Sequence, residues 1–267
     1  MNWENLGIAL ITGASSGIGA AFARALSSQG FKTILIARRT ERLEKLALQI
    51  KENTSNESDI LVADLSKLED IIKVSERIQS ISNIDVLINN AGFGTREYFE
   101  RIPAAVHKDM IFVHNLAPVL FCRAVLPNMI KRNRGVIINL SSMVAFTPSP
   151  RRVMYSSTKE FLKMFSETLQ YEMHDTNIRI QALCPGFTRT EFHHVGYFKD
   201  YDISKIPKET WLPAEEVVEF SLNAFQDEKV VFIPGEANQK FIELYIDPKL
   251  GKRTRQNWIK RSRIPRK

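Results

Sequence analysis

Residues 6–19 read LGIALITGASSGIG, a short apolar run that passes into a turn with three glycines and two serines. A run of this kind ending in glycine is typical of a buried parallel strand, and the helical pattern AAFARALSSQG follows it. Glycines allow a tight turn, and the free N–H groups of the new helix face an anion such as a pyrophosphate. The spacing is Gly-x-x-x-Gly-x-Gly, which differs from the common Gly-x-Gly-x-x-Gly fingerprint. A phosphate-binding turn is predicted, with a plain strand-to-helix turn as the alternative.

Strand and helix patterns then alternate along the chain. The expected strands are 6–12, 31–37, 60–63, 84–88, 135–140, 178–184 and 230–233. The expected helices after the first are 40–51, 66–81 with Ser66 as its cap, 103–132 and 153–173. This order predicts an α/β fold, a single-domain Rossmann-like doubly wound parallel sheet of about seven strands with helices on both faces. Residues 1–250 are assigned to this domain and 251–267 to a basic C-terminal tail.

The long helical region 103–132 contains Asn115 and, three residues later, Pro118. Because proline cannot donate a backbone hydrogen bond, a kink is expected beside Asn115. The apolar run 110–122 within it is too short for a membrane span, so no transmembrane segment is predicted.

The second strand ends in Arg38-Arg39, and no acid appears before Glu41. In a dinucleotide fold, an acid at this point binds the ribose 2′-hydroxyl, whereas arginine accommodates a 2′-phosphate. The arginines therefore predict NADP(H) rather than NAD as the cofactor. A solvated arginine pair at a helix start is the alternative interpretation.

A candidate proton donor lies in Tyr155-Ser156-Ser157-Thr158-Lys159. On a helix, side chains four residues apart share one face, so the Tyr155 hydroxyl and the Lys159 ammonium can converge. A nearby cation lowers the pKa of a phenol, and a hydroxyl such as that of Ser142 can hold a substrate oxygen. Tyr-x-x-x-Lys alone is also common on ordinary amphipathic helices.

Taken together, residues 6–235 resemble the classical type of the short-chain dehydrogenase/reductase (SDR) superfamily. The motifs that carry the resemblance are TGASSGIG at 12–19, Asp64, NNAG at 89–92, Asn115, Ser142, YSSTK at 155–159 and PG at 185–186. The resemblance implies an oxidoreductase in which Tyr155 protonates the alkoxide formed by hydride transfer to a carbonyl, Ser142 hydrogen-bonds that oxygen, and Lys159 with the oxidised nicotinamide keeps the Tyr155 pKa low. It also implies that Asn115 holds a water in a proton relay ending at Lys159.

The same resemblance implies the cofactor contacts. Asp64 with Leu65 would contact the adenine, Asn90 would line the cofactor cleft, and Thr188 or Thr190 would meet the nicotinamide carboxamide. The full set expected to bind NADP(H) is Gly13, Ser15, Ser16, Gly17, Ile18, Gly19, Arg38, Arg39, Asp64, Leu65, Asn90, Ala91, Gly92, Tyr155, Lys159, Pro185, Gly186, Thr188 and Thr190. The strand at 230–233 is followed by Pro234-Gly235-Glu236, whereas many members have an Asp-Gly-Gly turn and a final strand that builds a tetramer interface. The resemblance therefore implies a homodimer, formed through the helices around 103–132 and 153–173.

Charge and composition limit the partners. The net charge is +7, but eight of the 37 Lys and Arg residues lie in 252–267 without an acid, so the preceding residues are nearly neutral. A nucleic-acid partner is not indicated. The tail is interpreted either as a solvated or dimer-packed end or as a contact to an anionic membrane or acidic partner. With no secretory signal apparent, a cytoplasmic location is expected.

Substrate identity is expected to depend on residues 191–213 and 144–152. Apolar side chains in the first segment suit a hydrophobic ketone or acyl chain, although loop packing would look the same; they are Phe192, Val195, Tyr197, Phe198, Ile203 and Trp211. His193 and His194 lack a third ligand nearby, so no metal site is expected. Cys122 and Cys184 are interpreted as buried thiols. The alternative function is a non-catalytic protein that senses NADP(H) with the same cleft.

Overall fold

A computed structural model of the chain describes residues 5–194, 206–226, 229–249 and 251–262. The strands in these ranges are β1 Ile8–Thr12, β2 Lys32–Ala37, β3 Ser58–Val62, β4 Ile84–Asn89, β5 Gly135–Leu140, β6 Ile178–Leu183, β7 Phe187–Arg189, β8 Trp211–Pro213 and β9 Val231–Phe232. Within the described chain, seven of them form one parallel sheet in the order β3-β2-β1-β4-β5-β6-β9, and β7 pairs with β8 separately. The predicted doubly wound fold class is confirmed.

Helices cover both faces of the sheet. Those in the described ranges are α1 Gly17–Ser28, α2 Thr40–Thr54, α3 Leu68–Gln79, α4 Ala104–Ile111, α5 Ala117–Arg132, α6 Val153–Glu172, α7 Ala214–Asn223, α8 Glu236–Ile246 and α9 Gly251–Ser262. Successive side chains of a strand point to opposite faces, so each central strand supplies two cores. Ala9 and Ile11 pack under α1, α2 and α7, whereas Leu10 packs under α3 and α5.

The sheet order reverses between β1 and β4, which pair directly although α1, β2, α2, β3 and α3 separate them in the chain. In sheets of this class the crevice at the carboxyl ends of such a pair is the ligand-binding place. The glycine turn follows β1 and the segment 89–92 follows β4, so the topology brings these two predicted motifs together.

Element boundaries differ from those predicted by up to three residues, and two of the differences lie at β3 and α3. The strand expected at 60–63 begins at Ser58, and the helix expected from Ser66 begins at Leu68 with Lys67 as its N-cap. Ser66 does not cap this helix because its backbone N–H and hydroxyl both donate to Asp64 Oδ1, at 3.1 and 2.9 Å. The serine thus closes a turn after β3 rather than starting α3.

The irregularity expected beside Asn115 is a π-helical turn, Phe112–Leu116, between α4 and α5. A π-helical turn contains one extra residue. Such a turn is compatible with Pro118, which cannot donate the backbone hydrogen bond of a regular helix. The continuous segment Ala104–Arg132 is longer than the apolar run 110–122, and by length and composition it is able to cross a membrane. Half of its most apolar window is buried in the protein, where Phe121 and Val125 pack against the sheet.

The basic tail begins as α9, which packs on α8. Arg255 donates to the carbonyl oxygens of Tyr245, at 2.7 Å, and Asp247, at 3.4 Å. This arginine therefore holds the two helices together. Residues 263–267 lie outside the described ranges.

A buried carboxylate closes the amino end of the sheet. Asp85 of β4 is fully buried, and Gly7 N donates to it at 2.8 Å. Arg134 and Arg132 form ion pairs with its two oxygens at 2.6 and 3.1 Å. These contacts join β4 to the end of α5 and to the chain entering β1. They lie at the amino end of the strands, whereas the glycine turn lies at the carboxyl end.

We expect Asp85→Asn to lower the free energy of unfolding by about 3 kcal/mol, because two guanidinium groups lose a buried counter-charge. The matched control is Glu57→Gln, since Glu57 pairs with Lys51 at 3.5 Å on an exposed surface. That change should cost below about 0.5 kcal/mol. Urea unfolding of both variants measures the difference, and equal losses would contradict a stabilising role for the Asp85 cluster.

Candidate active site

The glycine turn is packed against the segment that follows β4. Gly13 and Gly17 have φ of +66° and +54°, which L side chains rarely adopt. A Cβ atom on Gly19 would lie 2.4 Å from Asn90 Nδ2 and from the Gly13 carbonyl oxygen. Glycine is therefore required at these positions by backbone conformation and by close approach.

Thr12, the last residue of β1, clamps the two strand ends together. Its hydroxyl accepts hydrogen bonds from the backbone N–H groups of Asn90 and Ala91 at 2.9 and 3.0 Å. Asn90 Nδ2 in turn donates to the Thr12 and Gly13 carbonyl oxygens at 2.9 and 3.2 Å. Asn90 thus lies in the predicted cleft, where its side chain fixes the glycine turn.

The start of α1 is open to an anion. Ser16 is the N-cap, its side chain makes no capping hydrogen bond, and no acid lies in the first helical turn. Ile18 packs against the core, which leaves its backbone rather than its side chain for a ligand. Free N–H groups at a helix start suit a pyrophosphate, so this turn fits a dinucleotide.

The two arginines after β2 have different surroundings. Arg39 donates to Ser15 Oγ at 2.9 Å and to Ser16 Oγ at 2.9 Å, so it lies beside the glycine turn. Arg38 is exposed, and its charge acts on Asp64. Burial alone would raise the pKa of Asp64, but hydrogen bonds from Ser66 and the charge of Arg38 lower it overall. Leu65 beside it is buried, at 6% exposure.

Three of the four predicted catalytic side chains come together between β5 and α6. Tyr155 is buried at 9% exposure, and Ser142 is close enough to its hydroxyl to lower its pKa. Lys159 Nζ lies 5.8 Å from the centre of the Tyr155 ring and donates to the Leu140 carbonyl oxygen at 2.7 Å. The Ser142 hydroxyl also accepts from Val144 N at 3.3 Å, which orients it at the end of β5.

Burial has the largest effect on the pKa values of Tyr155 and Lys159. Burial raises the pKa of Tyr155, and the charge of Arg152 and the Ser142 hydrogen bond only partly offset this. Burial also lowers the pKa of Lys159 to about 7. Both groups lose solvation, and the Lys159 ammonium contacts a neutral carbonyl oxygen. Acidification of the phenol by Lys159 together with an oxidised nicotinamide stays a prediction.

The π-helical turn places two polar side chains behind the catalytic helix. Asn115 Nδ2 donates to the Thr158 carbonyl oxygen at 3.0 Å. His114 Nε2 accepts from Phe93 N at 3.1 Å, and its Nδ1 lies 2.9 Å from Thr158 Oγ1. Burial and the charge of Lys159 lower the His114 pKa, so the imidazole is neutral. The pair ties α6 to the loop after β4, and the water relay expected at Asn115 stays a prediction.

Gly92, in that loop, is close to the catalytic ammonium. A Cβ there would lie 3.0 Å from His114 Nε2 and 3.5 Å from Lys159 Nζ. A side chain at position 92 would therefore press on the His114 ring, and the loop after β4 packs closely beside Lys159.

The segment after β6 closes the other side of the cleft. The Pro185 carbonyl accepts from Met143 N at 3.1 Å, and a Cβ on Gly186 would lie 2.7 Å from Asn238 Oδ1. Thr188 Oγ1 donates to the Gly186 carbonyl at 3.3 Å. Thr190 lies against the glycine turn, since a Cβ on Gly17 would be 3.0 Å from its methyl group.

The predicted substrate segment is described in part. Phe192 lies 6.0 Å from the Tyr155 ring, and Trp211 packs on Phe187 with ring centres 5.2 Å apart. Val195, Tyr197, Phe198 and Ile203 lie outside the described residues, as does the side chain of His194. No group of three or more His, Cys, Asp or Glu residues suited to a metal occurs among the residues that were described.

Three site residues were missed by sequence reasoning. Arg152, at 9% exposure, was assigned only to a substrate segment, although its charge favours ionisation of Tyr155. Thr12 and His114 were not assigned at all. Thr12 and His114 are polar residues within apolar runs, and this pattern could have indicated a role for both. The sequence contains no such signal for Arg152.

Comparison with known proteins matches residues 7–196 to the short chain dehydrogenase family. A very-long-chain 3-oxoacyl-CoA reductase from Anas platyrhynchos is 34% identical over 193 residues, which are 70% of this chain and 61% of that protein. A human protein named inactive hydroxysteroid dehydrogenase-like protein 1 is 34% identical over 184 residues, 68% of this chain and 56% of the relative. The chain thus spans about three fifths of the length of these relatives.

A solved structure with the same architecture is a short-chain dehydrogenase from Sphingobium yanoikuyae in complex with NADPH. It superposes with a TM-score of 0.80 at 30% identity, covering 98% of this chain and 96% of that one. The helices and strands that carry the candidate site are therefore arranged as in a solved protein of this kind.

The buried Lys159 should make stability depend on pH. Because its pKa falls from 10.5 to about 7, the unfolded chain binds one more proton than the folded protein between these values. The contribution of Lys159 to the free energy of unfolding is lowest below pH 7 and grows as the pH rises towards 10.5. Relative to Lys159→Met, we expect the wild-type unfolding free energy to rise by about 1 kcal/mol per pH unit from about pH 7 to 9.

The matched control is Lys163→Met, one helical turn further along α6. Burial alone would lower the pKa of Lys163, but Glu160 and Glu167 raise it overall. Its difference from wild type should stay flat in the same pH range. Urea unfolding provides the measurement, and a flat difference for Lys159→Met as well would show that this ammonium is not desolvated.

Proposed function

The chain belongs to the short-chain dehydrogenase family, and on that premise we propose that it is an NADP(H)-dependent oxidoreductase. It interconverts a carbonyl, in a hydrophobic ketone or acyl compound, with the corresponding secondary alcohol. The observation that carries the proposal is the buried Tyr155 side chain, with Ser142 beside its hydroxyl and Lys159 one helical turn away, near the crevice at the ends of β1 and β4.

The chain's own residues supply the proton chemistry. Ser142 and Tyr155 donate to the substrate oxygen, and Tyr155 then gives its proton to the alkoxide that develops. Since burial raises the pKa of Tyr155, the phenol is protonated at neutral pH and suited to carbonyl reduction. Lys159, with a pKa of about 7, exchanges a proton readily under the same conditions. A bound nicotinamide would supply or accept the hydride.

Three observations support NADP(H) over NAD(H). Arg39 lies on the serines of the glycine turn, where a 2′-phosphate attached to the ribose would be met by a cation. No acid is present between the end of β2 and Glu41 to bind a free 2′-hydroxyl. The similar Sphingobium protein was solved with NADPH.

A hydrophobic substrate is supported by aromatic side chains near the phenol. Phe192 lies next to Tyr155, and Phe187 and Trp211 extend the apolar surface along β7 and β8. A relative is named for a very long acyl chain. A second candidate function is NADP(H) binding without turnover, because another relative is named inactive.

We expect Tyr155→Phe to lower turnover about a hundredfold to ten-thousandfold while NADPH affinity changes less than about threefold, since only the proton donor is lost. Tyr171→Phe on the exposed side of the same helix is the control and should retain activity. The measurement follows NADPH and NADH absorbance with 3-oxoacyl thioesters, steroid ketones and aryl ketones. If no carbonyl is reduced although NADPH binds, the non-catalytic candidate is favoured; faster reaction with NADH would refute the cofactor assignment.

We further propose that the protein is a homodimer. The outer face of α6 carries exposed apolar side chains at helical spacing, namely Val153, Phe161 and Met164 at 50, 45 and 56% exposure. Ile111 and Ile130 on the neighbouring helical segment Ala104–Arg132 are 43 and 46% exposed. A face of this composition suits burial against a second copy.

Met164→Glu should weaken dimerisation by placing charges in the centre of this face, so we expect a monomer where the wild type is a dimer. Leu48→Glu is the matched control, because Leu48 is equally exposed, at 58%, on α2 across the sheet. Sedimentation velocity over a range of concentrations gives the mass. A monomeric wild type, or dissociation by Leu48→Glu to the same extent, would disprove this interface.

A further inference from the structure

Glu191 occupies a site built from positive charges and hydroxyls. Its two carboxylate oxygens form ion pairs with Arg39 Nη2 and Arg42 Nη1, each at 2.6 Å. Ser16 is also hydrogen-bonded to this carboxylate. Burial alone would raise the pKa of Glu191, but the hydrogen bonds from Arg39, Arg42 and Ser16 lower it to about 2. The carboxylate is therefore held as an anion.

The groups around Glu191 come from three separate parts of the fold. Arg39 and Arg42 belong to the end of β2 and the first turn of α2, and Ser15 and Ser16 to the glycine turn. Glu191 comes from the segment after β7. The arginines are about half exposed, at 42 and 50%, so an anion arriving from solvent has access to them.

A phosphate monoester seeks the same donors. It carries a charge of about −1.5 to −2 and three acceptor oxygens, against one charge and two oxygens for a carboxylate. Two anions at one set of donors repel each other, so the carboxylate and the phosphate must exchange. Arg39 and Arg42 lie where the 2′-phosphate of the proposed cofactor would be expected.

We propose that Arg42 joins Arg39 in binding the 2′-phosphate and that Glu191 is a specificity-determining residue, which fills this site until the phosphate displaces it. The inference rests on the proposed use of NADP(H). Displacing Glu191 from its ion pairs costs binding free energy, and only a nucleotide with a 2′-phosphate has to displace it. NADH has no group at this position and leaves the Glu191 ion pairs intact.

An ordinary surface ion pair nearby differs from this arrangement. Arg24 pairs with Glu215 at 2.8 Å, with 41 and 67% exposure. There one acid meets one arginine, on the side of α1 and α7. At Glu191 one acid bridges two arginines beside the serines of the glycine turn.

The test is calorimetric titration of the whole protein with NADPH, NADH and 2′,5′-ADP. In Glu191→Gln the dissociation constants for NADPH and 2′,5′-ADP should fall about three- to tenfold, the range for two partly exposed ion pairs, and that for NADH should change less than about twofold. Glu215→Gln, the matched control, should leave all three unchanged. Arg42→Gln should weaken NADPH about fivefold and spare NADH.

Unchanged or weaker NADPH binding in Glu191→Gln would overturn the inference, because Glu191 would then only position the arginines. Failure of the proposed function has a different signature. If wild type prefers NADH, the cofactor proposal fails, and the inference still requires Glu191→Gln to shift the preference towards NADPH. If no variant binds either nucleotide, both are refuted. Thermal unfolding of each variant establishes that it is folded.

Discussion

The contact between Thr12 and the Asn90–Ala91 backbone is the one on which the site depends. It joins the ends of β1 and β4, where the sheet order reverses and a crevice opens. Asn90 then returns two hydrogen bonds to the first residues of the glycine turn. Because Gly19 fits only without a Cβ against Asn90, the start of α1 is held against this clamp. The phosphate-binding turn and the loop leading to Lys159 are thus positioned by the same few polar atoms.

Burial controls the proton chemistry that this geometry permits. Tyr155 and Lys159 are both nearly excluded from water, at 9 and 4% exposure. Desolvation disfavours the charged form of each, so the phenol stays protonated and the ammonium loses its proton more easily. Arg152, the residue before α6, opposes this effect, because its positive charge lowers the pKa of Tyr155. The balance between burial and nearby charge, rather than the spacing of the pair, sets the protonation states of Tyr155 and Lys159.

The arginine–carboxylate ion pairs at the two ends of the sheet differ in their exposure to solvent. At the amino end Asp85 is fully buried and its arginines close a structural cluster. At the carboxyl end Arg39, Arg42 and Glu191 remain partly exposed, so their ion pairs are weaker and exchangeable. The difference in solvent access separates a structural use of arginine–carboxylate pairing from one suited to ligand binding.

The fold class and most strand positions were determined by the sequence alone, since apolar periodicity and glycine conformation are local properties. The four-residue spacing of Tyr155 and Lys159 was likewise sufficient to place both on one helix face. Local reasoning failed at Ser66, where the Asp64 carboxylate competed with the predicted helix cap. The burial that raises the Tyr155 pKa could not be read from the four-residue spacing, because desolvation is imposed by elements distant in the chain.

Only the tertiary structure brought Arg42 to Glu191, across 149 residues of sequence, and His114 to Thr158. Long-range contacts of this kind depend on how the sheet orders its strands and how helices pack on it, and no sequence spacing encodes them.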